Sequence, residues 1–356
     1  MLRVKRIIII LVVLLLCLLG FIGYKKFYNT KKKEVIKKEE KITKKEDNYS
    51  SPEIRLLGRE EDTRIKNGVY EEYGATASDE YDGDLTSKIE TINEIDITKA
   101  GTYYVTYKVT NSKNKTSEIK RKVNVIEADD IDTDGISVLM YHYFYDDTIG
   151  EVGEDSNYLE KSLFEEQLKY LTENNYYFPN MKEIRKYVDG NLDLPSKSVV
   201  LTLDDGHADN YTIAYPLAVK YKVPIVMFIV TSWTNPKDEL QQAMIDTGYV
   251  YMMSHTHDMH QAGCSGIQHG SRILCIDYET GVNDLKTSID ILGNNDALAY
   301  PTGDNNDNSR RIVEDAGFNL AFTVDFGRVT KYADPLTLPR VRVSQGNSLS
   351  YFISTL

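Results

Sequence analysis

The run Ser198-Val199-Val200-Leu201-Thr202-Leu203 stops on Asp204-Asp205-Gly206-His207, and that junction constrains the chain more than any other stretch. The run is short, rich in β-branched residues and bracketed by Pro195 and Gly206. It predicts a buried strand of a mostly parallel sheet. In α/β folds ligands bind at the carboxyl ends of such strands. Two acids at a strand tip therefore stand where chemistry is done, and side-chain alternation lets them split roles. A surface turn is the alternative, since Asp-Gly is a common turn dipeptide. Downstream, Val250-Tyr251-Met252-Met253 leads into Ser254-His255-Thr256-His257-Asp258-Met259-His260, which holds three of the six histidines. An Asp pair and a His cluster, each at a strand end, suggest an Asp-His-His metal site.

The flanking pattern alternates strand and helix. Ile136 to Tyr141 reads as a strand ending on His142. Ser162-Leu163-Phe164-Glu165 reads as a capping box, with Phe164, Leu168 and Leu171 at helical spacing. A helix near Tyr211–Tyr221 leads to the apolar strand Ile225–Val230. Helices near Asn283–Leu292 and Ser309–Ala316 follow, the second closed by Gly317. Leu320–Thr323 and Arg340–Val343 are late strands. This predicts a parallel α/β architecture over residues 128–356. Residues 52–127 differ. Thr102–Val109 and Glu118–Val125 alternate cleanly around a turn at 111–114, which predicts a small all-β sandwich. Asp82 and Asp84 are read as turn residues rather than calcium ligands.

Ahead of the sandwich, Ile7 to Gly23 is almost wholly apolar, long enough to span a bilayer, and Arg3, Lys5 and Arg6 precede it. No small-x-small cleavage site follows, so residues 1–24 are expected to be an uncleaved membrane anchor rather than a signal peptide. Residues 25–51, rich in Lys and Glu, are expected to be a solvated spacer, disordered or transiently helical. Residues 1–50 carry 13 Lys+Arg and 5 Asp+Glu, a net +8, against −12 for the whole chain, so residues 51–356 carry −20. That balance argues against nucleic acid as a partner, and no protein partner is expected. Cys264 and Cys275 flank a polar loop. They pair if the domain lies outside the cell, and are two free thiols otherwise.

Three segments carry a family resemblance. Thr202-Leu203-Asp204-Asp205-Gly206 resembles the first motif of the polysaccharide deacetylase family, and Ser254 to His260 its second. Ala299-Tyr300-Pro301-Thr302-Gly303-Asp304 is similar to the third, with a threonine where an aromatic usually follows the proline. Histidines five apart, as His255 and His260 are, and the preceding Met140-Tyr141-His142 resemble the poly-N-acetylglucosamine deacetylase branch. Gly74–Ala77, Asp82–Thr86 and Gly101–Tyr107 are similar to immunoglobulin-like modules of bacterial surface proteins.

The resemblance implies a distorted (β/α) barrel of about seven strands and a metal-dependent N-deacetylase of an envelope glycan. The acetylated substrate would be poly-β-1,6-N-acetylglucosamine, peptidoglycan or an O-acetylated polymer. It implies Asp205, His255 and His260 as ligands of a divalent metal, Zn²⁺ first, with Co²⁺ or Ni²⁺ as alternatives. Asp204 would be the general base and His142 the general acid. The third motif, Tyr300-Pro301-Thr302, would contribute to substrate and oxyanion contacts, with the Thr302 backbone N–H as donor. The arginine that usually holds the catalytic Asp is missing ahead of that motif. Arg340 is a substitute, or a surface residue. His257 would touch substrate or support a ligand, Asp258 would orient a metal histidine, and His207 and His269 would be surface residues. The membrane anchor would hold the catalytic domain outside the cytoplasm. A non-catalytic glycan-binding or scaffold protein on the same fold is the competing class. A glycosidase needs two carboxylates about 5–9.5 Å apart and no histidine ligands, which adjacent Asp204 and Asp205 do not offer.

Overall fold

Seven short strands close into a parallel barrel. They are β1 (Ser137–Tyr141), β2 (Val199–Leu203), β3 (Ile225–Ile229), β4 (Val250–Ser254), β5 (Leu298–Ala299), β6 (Ala321–Phe326) and β7 (Leu338–Arg342). Their circular order is β2-β3-β4-β5-β6-β7-β1, so the expected seven-stranded (β/α) barrel is what forms. The structure, a computed structural model, describes residues 2–46, 49–234 and 238–356, and the side chains of all these except 2–10, 13, 17 and 39–46.

Distortion is local. β1 and β2 pair over five residues, from Ser137↔Val199 to Tyr141↔Leu203. β5 is two residues long and meets β4 only at Ser254↔Leu298, and the β6–β7 register shifts between Phe322 and Phe326. Alternation sorts the strand side chains into two layers. Val138, Val200, Phe228, Met253, Ala299 and Phe322 share one buried cluster. Their neighbours Leu139, Leu201, Leu203 and Met227 join another that includes Phe164, Leu168 and Leu171 of the helix Lys161–Glu173. The first cluster therefore fills the barrel and the second binds the helical coat. Each fully buried Val or Leu contributes roughly 1.5–3 kcal/mol of transfer free energy.

The expected capping box at Ser162 does not form. The helix starts at Lys161 with Glu160 at its cap position, making no side-chain bond there. Ser162 instead donates through both its N–H and its hydroxyl to Asp147. Boxes form at Asn180/Glu183 and Asn306/Ser309. The helix Asp307–Ala316 does end on Gly317, at φ 95°. Cys264 and Cys275 are joined, their Cα atoms 5.8 Å apart, which pins the loop after the His cluster.

The chain forms two compact units: Met1–Glu53 with Ala77–Lys88 and Val109–Ser117, and Ile54–Thr76 with Ile89–Lys108 and Glu118–Leu356. Leu2–Glu46 is a single helix. The part of the spacer from 25 to 46 is thus helical, the second of the two states expected of it, which suits Lys and Glu as good helix formers. Among the described residues no helix is long and apolar enough to cross a membrane. The apolar run expected to be an anchor lies partly outside them, at the side chains of Ile7 to Ile10, Val13 and Cys17. Residues 53–126 supply the strands of the immunoglobulin-like sandwich. Glu61–Ile65, Thr116–Ile126, Gly101–Thr110 and Glu90–Asn93 form one sheet in that order. Asp82 accepts from the N–H and hydroxyl of Ser112 at 2.6 and 2.7 Å, and Asp84 from the Thr86 N–H at 2.9 Å. Both are turn acceptors, as expected.

Candidate active site

The strand ends gather the polar residues on one mouth of the barrel. His142 follows β1, Asp204 and Asp205 follow β2, His255 and His260 follow β4, and Pro301–Gly303 follows β5. Val200 points into the barrel, and two-residue steps carry Thr202 and then Asp204 inward as well. The same alternation would throw Asp205 outward. Asp205 escapes it by adopting φ 72°, and Gly206 continues the turn at φ 71°. A Cβ on Gly206 would stand 2.9 Å from Ile229 Cγ2, so glycine is required there. Thr256 (φ 72°) and Thr302 (φ 57°) turn the other two motifs in the same way. Left-handed backbone at a non-glycine residue costs about 1–3 kcal/mol and collects at functional sites.

Asp205, His255 and His260 form a group able to hold a metal ion, with one donor atom from each within 4.8 Å of the others. Asp205 Oδ1 faces His255 Nε2 at 3.4 Å and His260 Nε2 at 3.1 Å. It is buried and accepts no hydrogen bond. His255 donates from Nδ1 to the Ala299 carbonyl at 2.8 Å, a bond that turns Nε2 toward Asp205. A buried carboxylate oxygen with no hydrogen-bond partner, facing two imidazole nitrogens, fits a shared cation. Burial raises the Asp205 carboxyl, but the two imidazoles facing it outweigh that and hold it far below the usual range. Burial likewise works against charge on His260, and Asp205 overcomes it, raising that imidazole. One carboxylate with two imidazoles is a donor set that suits a divalent metal ion.

Asp204 has a different partner. Arg340 Nη1 and Nη2 each donate to it at 2.7 Å, a bidentate fork. Arg340 is 0% exposed and also donates to the Thr323 carbonyl at 2.9 Å and to Thr202 Oγ1 at 3.1 Å. It is a buried partner of Asp204 and not a surface residue. Burial raises the Asp204 carboxyl, and Arg340 more than reverses this, so it stays ionised. Burial pushes the His142 imidazole below its ordinary value, against the pull of Asp204 and Asp205.

Other expected residues divide. Tyr300 is wholly buried in a cluster with Met259, Leu285 and Ile312, and Pro301 is buried too, so neither presents its side chain to substrate. Thr302 is exposed on the strained turn. His257 Nδ1 lies 3.0 Å from Thr231 Oγ1, and the His257 N–H donates to Asp284 at 2.9 Å. Asp258 does not orient a metal histidine: it pairs with Arg272 at 3.1 Å, and the Ala299 carbonyl orients His255 instead. His207 and His269 are exposed and pair with Asp209 and Asp304. Two residues went unread in the sequence. Tyr143 donates to Asp205 Oδ2 at 2.5 Å, which leaves Oδ1 as the free ligand atom. Asp304, buried, receives the N–H groups of His269 and Ser271. Tyr143 adjoins His142 and was in reach of a reading that asked what supports the ligands. Asp304 carried no signal beyond its place in the third motif.

Two family models match the sequence: Bacterial surface protein, Ig-like domain over residues 54–125, and Polysaccharide deacetylase over 191–321. The chain is 30% identical over 207 residues to poly-beta-1,6-N-acetyl-D-glucosamine N-deacetylase of Staphylococcus aureus (strain MRSA252), covering 54% of this chain and 70% of that protein. The protein of that name from Staphylococcus epidermidis is 31% identical over 198 residues, covering 51% and 66%. The solved structure of Streptococcus pyogenes deacetylase PplD in complex with acetate matches with TM-score 0.53 and 24% identity, over 63% of this chain and 99% of that one. IcaB from Ammonifex degensii matches with TM-score 0.52 and 24% identity, over 63% and 96%. At those identities the structural likeness establishes the barrel fold.

Proposed function

The chain belongs to the polysaccharide deacetylase family and is an N-deacetylase of polysaccharides, and on that premise we propose that it removes N-acetyl groups from β-1,6-linked N-acetylglucosamine polymer outside the cell membrane. One observation carries the reading. Adjacent carboxylates have separate partners, Asp204 on Arg340 and Asp205 on the two imidazoles. A divalent metal held by Asp205, His255 and His260, zinc in the first place, would polarise the acetyl carbonyl and acidify a water towards a pKa of roughly 7. Asp204 takes the proton of the attacking water. The Thr302 backbone N–H donates to the developing oxyanion. His142 delivers a proton to the amine as the C–N bond breaks. The products are acetate and a free amino sugar. The polymer assignment is supported by the names of the staphylococcal relatives. Acetate release from purified poly-β-1,6-N-acetylglucosamine and from peptidoglycan tests it. The expected result is release from the first; release only from peptidoglycan would overturn the substrate.

His142→Ala is expected to lower amide turnover about 10²–10⁴-fold, the usual worth of a general acid. The loss should shrink on an activated aryl acetate, whose leaving group needs no proton. Burial holds His142 below the ordinary imidazole value. The alkaline limb of kcat/KM that it governs should therefore fall at lower pH than an exposed histidine would give, and vanish in the variant. Equal losses on amide and ester would assign His142 to positioning.

The location is a proposal from the sequence. It rests on the apolar run Ile7–Gly23 and the basic residues before it, and is supported by the Cys264–Cys275 disulfide, a bond of oxidising compartments. Protease added to intact cells should degrade the folded domains. Full protection with the surface accessible would place them inside. The sandwich, read as residues 52–127, is proposed to be a spacer.

A further inference from the structure

Trp233 is the only tryptophan in the chain, and it stands 59% exposed at the mouth of the barrel. It follows β3, between the loops that carry the Asp pair and the His cluster. Its ring lies 5.3 Å from that of His260, centroid to centroid, with the planes inclined at 71°. His260 Nε2 faces Asp205, so the indole flanks the reacting centre directly.

Single exposed apolar residues are common on protein surfaces and need no function. Two features set this one apart. It touches a residue of the metal group, and its backbone is fixed. Thr231 N–H donates to the Thr256 carbonyl and Ser232 N–H to the His257 carbonyl, both at 3.1 Å. The N–H groups of Trp233 and Thr234 both donate to the Val230 carbonyl, at 2.9 and 3.2 Å. The turn that presents the indole is thus tied to the turn that presents the histidines. An apolar ring carried on a fixed backbone loses less conformational entropy when it is covered than one on a mobile loop.

We propose that Trp233 is the platform on which a pyranose ring of the glycan stacks, holding an N-acetylated hexosamine beside the residue whose acetyl group is removed. A β-linked hexosamine presents a face of axial C–H groups to an aromatic ring, while its hydroxyls and acetamide stay solvated at the edge. Indole offers the largest such surface among the side chains, with one polar edge N–H. No charge on the ligand is needed, so the platform accepts the acetylated polymer. The proposal deepens the deacetylase reading and rests on it for the identity of the sugar.

A lone tryptophan makes the test direct, because all indole emission comes from this ring. Adding a β-1,6-N-acetylglucosamine tetramer to the full-length protein should shift or quench the emission saturably. Trp233→Ala should raise KM for the polymer roughly tenfold, the size of a lost aromatic contact. Its kcat should fall less than its KM rises, and Trp233→Phe should recover much of the loss. Bound metal should stay stoichiometric in both variants. Unchanged emission at saturating tetramer, or an unchanged KM in Trp233→Ala, would overturn the platform. Failure of the wild type to release acetate from any polymer would overturn the deacetylase reading instead, and the fluorescence titration would still decide whether the ring binds sugar.

Discussion

Replacing either His255 or His260 by alanine is expected to remove the bound metal and reduce acetate release to background. The two imidazoles and Asp205 Oδ1 converge within 4.8 Å, and each supplies one donor. Three protein ligands are the usual complement of a catalytic zinc, with the remaining positions open to water and substrate. Two ligands hold the ion far less firmly, and without it neither the carbonyl nor the water is activated, a loss of several kcal/mol. A chelator should inactivate the wild type and Zn²⁺ should restore it. Affinity should also fall with pH. Asp205 raises the His260 pKa, so protons compete for that nitrogen at higher pH than for an ordinary histidine. Elemental analysis of the double variant decides the matter: stoichiometric metal there would remove the assignment.

Much of this site was legible because the chain writes it as apolar runs ending on polar residues. β1, β2 and β4 each end within a residue or two of a functional side chain. Alternation along β2 foretold that the two acids would split roles, and it is Asp204 that points inward. It could not foretell Asp205, whose left-handed backbone breaks the alternation, and non-glycine residues carry little signal for that conformation. Contacts between distant strands were legible only in part. Arg340 lies 136 residues beyond Asp204, and only closure of the barrel brings them together. Tyr143 and Asp205 are 62 residues apart and were invisible for the same reason. Asp258 misled because its place between histidines suggested a supporting carboxylate. In the fold the half-buried Arg272 claims it, and a main-chain carbonyl does the orienting. Ser162 misled similarly: the motif was local, and Asp147 from a neighbouring loop outcompeted it.

Asp204 and Arg340 set the second large effect. Asp204→Asn leaves Arg340 an amide oxygen to donate to and should keep the metal and a folded barrel at reduced stability, yet lose about 10²–10⁴ in turnover, the worth of a general base. An unchanged rate would move that role elsewhere. Arg340→Met should do more. Removing one partner of a buried ion pair costs about 3–5 kcal/mol of stability, because the other charge stays buried without compensation. The direction of the pH effect follows from the pair. In the wild type Arg340 overcomes burial and holds the Asp204 pKa below its unfolded value, so its stabilising share is present above that value and lost as pH falls through the folded one. Without Arg340 burial acts unopposed and the Asp204 pKa rises. The base is then protonated over part of the working range. The acid limb of kcat/KM should move to higher pH in Arg340→Met, with activity partly recovered on the alkaline side. Asp204→Asn should show no such recovery. A wild-type acid limb in Arg340→Met, measured on folded protein with metal bound, would mean that Arg340 holds the barrel together without tuning the base.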